Sequence, residues 1–313
     1  MTIGEHVETF EGLPVHDFDP DEGINDPEGM AYRLSVEYDA AEQGATMTGT
    51  LAAFLEDPAA ARVEAMVIGP WEEVYDSSNS SAPIVEALVA SAETLVALRA
   101  IFLGDITYEE SEMSWIGQSD VTPLFDAYPR LESFRVRGGT GLVIGSLKHV
   151  NLRSLAVETG GLDASILRGI LSSDLPRLEH LELWLGTEEY GRTVTVEDLG
   201  PILRGEVFPA LRYLGLRNCQ NVDEIAVSVA EAPILDRIKV LDLSLGDLTD
   251  AGAKALIESS KVARLGKLDI HHHFASPELT QKLEALGIAV DASERQEPHR
   301  YKDEEYRFIS VSE

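Results

Sequence analysis

"LEHLELWLG" (178–186) and "LRYLGLRNC" (211–219) decide the fold, because they are the same pattern written twice. Each carries leucine at its first, fourth and sixth places. "LRSLAVETG" (152–160), "IKVLDLSLG" (238–246) and "LGKLDIHHH" (265–273) align with them without gaps. "LESFRVRGG" (131–139) fits with Phe134 at the fourth place, "LRAIFLGDI" (98–106) fits, and "VEAMVIGPW" (63–71) fits more loosely. Period-2 alternation at places four to six predicts a strand with one buried face. In the 178–186 copy, Leu181, Leu183 and Leu185 point one way, and His180, Glu182 and Trp184 the other.

The eight copies start 35, 33, 21, 26, 33, 27 and 27 residues apart. Such lengths hold one strand, one helix and two turns. The intervening segments are patterned as helices. "TDAGAKALIESS" (249–260) opens on Thr249 or Asp250 as a cap, and "SPELTQKLEALG" (276–287) on Ser276. "TVEDLGPIL" (195–203) has a capping box of Thr195 and Asp198, but Pro201 predicts a short or bent helix. "APIVEALVASAETL" (82–95) is apolar at helical spacing. Strand and helix repeated in one sense require a parallel sheet backed by helices. Strands stack about 4.8 Å apart and helices about 10 Å apart. The predicted fold is therefore an α/β solenoid with a curved parallel sheet on its concave face and helices on its convex face.

The chain resembles the leucine-rich repeat family. Leu178, Leu181, Leu183, Leu211, Leu214, Leu216 and Cys219 carry the likeness. "LDLSLGDLTDAGAKAL" (241–256) resembles the strand–loop–helix unit of ribonuclease-inhibitor-like repeats, and the Cys219 copy the cysteine-containing variant. The likeness is strong over 131–286 and degenerate over 63–130. As a whole, with "SWIGQSDVTPLFDAYPRLE" (114–132), the chain is similar to a bacterial, actinobacterial leucine-rich repeat family that carries no assigned activity.

One departure lies at the ninth place, where the family has asparagine or cysteine. Here it is Gly139, Gly160, Gly186 and Gly246, and His273 in the last copy. His271, His272 and His273 thus fill places seven to nine of a repeat, which argues against a tag remnant. Adjacent residues on an extended segment alternate in direction, so the three do not face one ion. Asp269 and His271 share a face, two donors where zinc sites usually take three or four. No metal and no cofactor is expected.

A solenoid needs its ends covered. Residues 1–62 read as an N-terminal cap, 63–286 as the repeats, and 287–313 as a C-terminal cap, with a flexible tail as the alternative. Net charge is −30, from 55 acidic and 25 basic residues. That charge disfavours nucleic acid and anionic membranes as partners. No apolar run approaches the roughly 20 residues of a membrane span, no secretory leader is visible, and the single cysteine precludes an intramolecular disulfide, so a cytoplasmic location is expected. Asp17, Asp19, Asp21 and Glu28 partly match a calcium loop, but Gly23 is one place late and Pro20 and Pro27 intrude. Cys219 reads as a buried structural thiol.

Catalytic motifs are lacking, so no catalytic residues are assigned. Places three, five and seven of each repeat are expected to line the concave face. Arg135, Arg137, Trp184, Tyr213 and Arg217 there are residue types enriched at binding hot spots. His180, Glu182, Asp242, Asp269 and His271 extend the same strip. Loops at the strand ends, carrying Trp71, Glu72 and Trp115, compete with it. The leading expectation is a non-enzymatic scaffold that binds another protein on its concave face. The alternatives are a small-molecule binder or carboxylate-dependent enzyme using Glu182, Asp242 and Asp269, and a structural subunit of an enzyme complex. The sequence names neither the partner nor an oligomeric state.

Overall fold

Equivalent repeat places stand opposite one another in the paired strands. In a computed structural model that describes residues 3–76, 78–302 and 304–311, the chain forms two compact units, residues 3–158 with 172–175, and residues 159–171 with 176–311. Ser312 and Glu313, the end of the segment 287–313 read as a C-terminal cap, lie outside the described residues.

The first unit contains β1 (Thr9–Phe10), β2 (Leu13–Asp17), β3 (Ala31–Leu34), β4 (Ala65–Ile68), β5 (Ala100–Leu103), β6 (Ser133–Arg137) and β7 (Ser154–Glu158). They pair in chain order, β1 antiparallel to β2 and the rest parallel. Place three reads Ala31, Ala65, Ala100, Ser133 and Ser154 across the strands, as the repeat alignment predicts. The parallel ladder begins at β2, inside the segment read as a cap. Helices α1 (Tyr38–Glu42), α2 (Met47–Glu56), α3 (Ala82–Ala90) and α4 (Thr122–Ala127) connect the strands, and α2, α3 and α4 stack side by side. Thr46 Oγ1 accepts the Gly49 amide and caps α2.

The second unit contains α5 (Ala164–Leu171), β8 (His180–Gly186), α6 (Gly200–Leu203), β9 (Tyr213–Cys219) and α7 (Val222–Ala230). It continues with β10 (Val240–Asp242), α8 (Asp250–Glu258), β11 (Lys267–Asp269), α9 (Pro277–Glu284) and β12 (Ala289–Asp291). Strands β8 to β12 pair in chain order, all parallel. A separate hairpin, β13 (His299–Tyr301) and β14 (Glu304–Tyr306), follows. Residues 309–311 return to the repeats: Asn218 donates to the Val311 carbonyl and accepts its amide. The Thr195–Asp198 capping box forms, and α6 behind it is only four residues long, as Pro201 dictates. Thr249 caps α8 through Ala251. Ser276 does not cap α9 with its side chain; instead Asp250 accepts the Ser276 amide. Among the described residues no helix is long and apolar enough to cross a membrane.

The fold is that of a leucine-rich repeat solenoid, and its loops are joined without the family's usual amide at most ninth places. His273 replaces that amide. Its Nδ1 accepts the Ala275 amide and its Nε2 donates to the Ala292 carbonyl in the next strand segment. His149 makes the same pair of bonds with Leu152 and Tyr128. The middle histidine of the run, His272, is buried at φ 57° and donates from Nδ1 to the Gly246 carbonyl.

In the first unit the sheet face expected to be open is covered by the chain itself. Ala65, Val67, Ala100 and Phe102 occupy places three and five, and all are buried. Phe10 joins them, its ring 6.0 Å from that of Phe102. Val7, Leu13 and Val15 pack against the same cluster. Polar contacts fix this N-terminal segment. The Val7 amide donates to Asp105, Arg33 donates to the Val7 carbonyl, and Ser133 donates to Glu11. His6 Nε2 meets Glu110 at 3.1 Å, and its Nδ1 lies 3.4 Å from Asp105, close enough for an ion pair although not aligned as a hydrogen bond.

These carboxylates push the His6 pKa up to about 10, Asp105 most and Glu110 next, against the opposing effect of burial. Burial alone would raise Asp105, but His6, Arg137 and Arg33 outweigh it and hold it below its usual value. A free histidine titrates near 6.5. The contribution of His6 to docking is therefore full below about pH 6.5 and is lost as pH rises toward 10. Wild-type protein should lose on the order of 1–2 kcal/mol between those limits, and His6→Gln should not; urea unfolding across pH measures both. Separately, His273→Ala strands a buried amide and carbonyl, a loss of about 1–3 kcal/mol. His273→Asn should recover part of it in the same assay.

Candidate functional site

The second unit leaves a polar sheet face. Place five runs Glu182, Gly215, Asp242, Asp269 and Asp291 across β8 to β12. Adjacent strands thus bring like charges together, which is unfavourable unless they are engaged. The aspartates first bind their own backbone. Asp242 accepts the Ser244 amide at 2.9 Å, Asp269 the His271 amide at 3.1 Å, and Asp291 the Ser293 amide at 3.2 Å. An aspartate that bonds the amide two residues on forms a turn that competes with the ladder. It ends β10, β11 and β12 after three residues each, whereas β8 and β9, with Glu182 and Gly215 at that place, run for seven.

Cations then offset the row's charge, and a phenol donates to it. Arg217 donates to Glu182 at 2.8 Å and lies 3.4 Å from Asp242. The Tyr213 hydroxyl donates to Asp242 at 2.7 Å and sits 3.3 Å from Glu182. Burial first, then the two carboxylates, raise the Tyr213 pKa, so the phenol stays protonated and donating. His180 stacks on Tyr213 with centroids 3.8 Å apart and planes 8° from parallel. The Tyr213 ring has room because Gly215 has no Cβ: one placed there would lie 3.0 Å from its Cε1 and 3.3 Å from Glu182 Cγ. The Trp184 indole donates to Glu182 at 2.7 Å, and Arg217 lies over its ring at 5.3 Å.

Further along, Lys267 Nζ lies 2.8 Å from Asp269 Oδ2 and His271 Nδ1 2.7 Å from Asp269 Oδ1. Burial opposes ionisation of Asp269, but His271 and Lys267 outweigh it and hold its pKa well below the carboxylate range. Asp269 in turn raises the pKa of His271. Asp291 completes a set of three metal-donor side chains whose ligand atoms lie within 4.8 Å of one another. Both Asp269 oxygens are already engaged by Lys267 and His271, so a divalent ion would have to displace them. Asp291 was not among the residues expected on this face. The period-2 stretch "GIAVDAS" carried the signal, since it places Asp291 in register with Asp269.

Not every expected residue stands on this face. Arg135 and Arg137 belong to the first unit, where Arg137 is 3% exposed. They clasp the buried Glu158 at 2.5 and 2.8 Å and lie over the Phe102 ring at 4.4 and 5.2 Å. Their partners are internal, because Glu158 stands opposite Arg137 in the register. Trp184, expected as an exposed aromatic, is 5% exposed. His180, Lys267, His271 and Tyr213 remain partly open to solvent. Of the calcium-loop residues, Asp17 is bound by Arg33 at 2.6 and 2.9 Å. Cys219 is buried, and burial pushes its thiol up to about 12. Glu182, Asp242 and Asp269, the carboxylates of the alternative enzyme reading, each hold a cation, a phenol or both.

The repeat register and this strand–helix order define a leucine-rich repeat protein. No family model matches the chain, and no curated protein matches it. The crystal structure of a Bacteroides fragilis protein, determined as a structural-genomics consortium target, is similar with a TM-score of 0.81 and 31% identity. The match covers 90% of this chain and 77% of that one. The chain belongs to the same family as that protein. An internalin of Listeria monocytogenes matches with 10% identity and a TM-score of 0.35, over 88% of this chain and 59% of the internalin.

Gly215→Ala places a methyl group against a ring that His180 already holds from another side. It should cost about 1–3 kcal/mol and disturb the His180–Tyr213 stack. Thermal unfolding measures the first effect, and His180 ring chemical shifts the second.

Proposed function

We propose that the chain is a non-enzymatic scaffold that binds another protein on the sheet face of its second unit. One observation carries this reading. The first unit's sheet face is filled by the chain's own N-terminal segment, whereas the second presents His180, Tyr213, Lys267 and His271 already fixed by their neighbours. Side chains held in place before a partner arrives lose little further entropy on binding. Tyrosine and arginine beside carboxylates that cations hold in place suit a partner with mixed charge. The net charge of −30 argues against nucleic acid and anionic membrane as that partner. A single buried thiol and no disulfide suit a cytoplasmic location. The bacterial relative agrees with a bacterial chain, and the actinobacterial likeness belongs to the same reading.

The test is affinity capture from native cytoplasm with wild type and a His180→Ala/Lys267→Gln double variant, in which glutamine removes the charge but still offers Asp269 a donor. Both positions are solvent-accessible, so circular dichroism should show an unchanged fold, which truncating the buried Trp184 would not guarantee. A protein held in fixed stoichiometry by wild type and lost by the variant is the expected result. Retention of the same proteins by both would remove the second-unit face as the contact surface.

A further inference from the structure

A cavity of about 640 Å³ lies among the loops that follow β3, β4 and β5 in the first unit. That volume is within the range of small-molecule sites. Its floor is apolar, with Val36, Trp71 and Val74 all buried. The Trp71 indole donates to the Asn79 carbonyl, so the floor is fixed.

Two tyrosines stand in its wall. Tyr38, at the start of α1, and Tyr75, after β4, have ring centroids 6.3 Å apart and planes inclined at 43°. They are 62% and 52% exposed. Both rings line the cavity and are more than half exposed, so a ligand there can reach them.

The rest of the wall is acidic. Glu37, Glu42, Glu72, Glu73, Glu109 and Glu110 line it, and among the described residues no lysine, arginine or histidine does. Several of these are already engaged. Glu72 accepts the Met47 amide at the start of α2, Glu73 accepts from Asn79, and Glu110 holds His6 and Thr107. Glu37 and Glu42 are exposed, and among the described residues no ion pair engages them. The Tyr75 phenol registers the resulting field. Its pKa is raised by desolvation first, then by Glu73, Tyr38 and Glu42.

We infer that this cavity binds an organic cation, an ammonium or guanidinium group carried on an apolar stem. Each part of the wall answers one part of such a ligand. A cation is attracted to the face of an aromatic ring, and the glutamates complement its charge. The floor of Val36, Trp71 and Val74 takes the stem. A bare metal ion would leave floor and rings unused, and an anion would be repelled by the rim. The inference is independent of the scaffold reading, because it concerns different loops and a different unit.

The chemistry is shared by a free alkyl amine and by a lysine or arginine side chain of a protein. The experiment separates them. Isothermal titration calorimetry of the full chain in about 0.15 M salt, where the Debye length is about 8 Å, would use three probes: cadaverine, uncharged 1,5-pentanediol, and a blocked lysine, Nα-acetyl-lysine methylamide. Saturable binding of cadaverine alone assigns a free amine, and binding of the blocked lysine assigns a side chain; either supports the inference. The diol should not bind. Tyr38→Ala/Tyr75→Ala and Glu37→Gln/Glu42→Gln should each weaken binding about tenfold or more, with the fold checked by circular dichroism. Glu258→Gln/Glu284→Gln, on exposed helix positions of the other unit, should leave it unchanged. Equal weakening by all three variants would mean general attraction to an acidic chain. That result, equal binding of the diol, or no saturable binding of either amine would overturn the inference.

Discussion

In-register parallel pairing is the constraint from which the rest follows. It sets the same place of successive repeats about 4.8 Å apart, so each place becomes a row of neighbours. A row of leucines at places four and six is favourable without further help. Leu181 pairs with Leu214, Leu214 with Leu241, and Leu241 with Leu268, and all are fully buried. Rows on the other face have no helix to cover them, and their composition decides what happens there.

The two units resolve this differently. In the first, place three is alanine from β3 to β5, and place five includes Val67 and Phe102. An apolar row exposed to water is costly, and residues 3–15 cover it. The ion pairs at its edge, His6 with Asp105 and Glu110, are then built where the cover meets the loops. In the second, place five is acidic, and a row of carboxylates cannot be covered by apolar chain. Its charge is offset in its own plane by Arg217, Lys267 and His271, and the Tyr213 hydroxyl adds a donor to Asp242. Place seven follows the same logic, with Arg137 opposite Glu158 and Trp184 opposite Arg217. One face is buried, while the other stays polar and partly solvated.

The repeat made the ladder legible, down to which residues face one another across strands. It also gave the short α6, the buried Cys219 and the scattered directions of His271 to His273. What it did not give was accessibility. Arg137 and Trp184 were expected in the open because alternation distinguishes two faces, not which face meets water. The signal for the first unit was present: Ala65, Val67, Ala100 and Phe102 are apolar at places where a solvated face should be polar. Such a row predicts a cover, but the covering segment, with Val7, Phe10 and Leu13, is too short and irregular to announce itself. The Asp269–His271 pair was visible from spacing, and its third member needed the register of a three-residue strand.

Net charge says little until the carboxylates are sorted by what holds them. On the second unit's face Glu182, Asp242 and Asp269 lie beside cations, so the overall −30 overstates the potential a partner meets there. Around the cavity of the first unit the balance is reversed. Some glutamates accept neutral amides, which spread their charge without cancelling it, and Glu37 and Glu42 stand without an ion pair among the described residues. A carboxylate bonded to an amide still projects its full negative charge; one paired with arginine does not. Attraction for cations should therefore concentrate at the loop cavity rather than on the sheet face, although sequence composition is acidic in both. The solenoid separates the two roles by geometry: strands force charges into contact with compensating neighbours, while the loops at their ends leave room for charge to remain uncompensated.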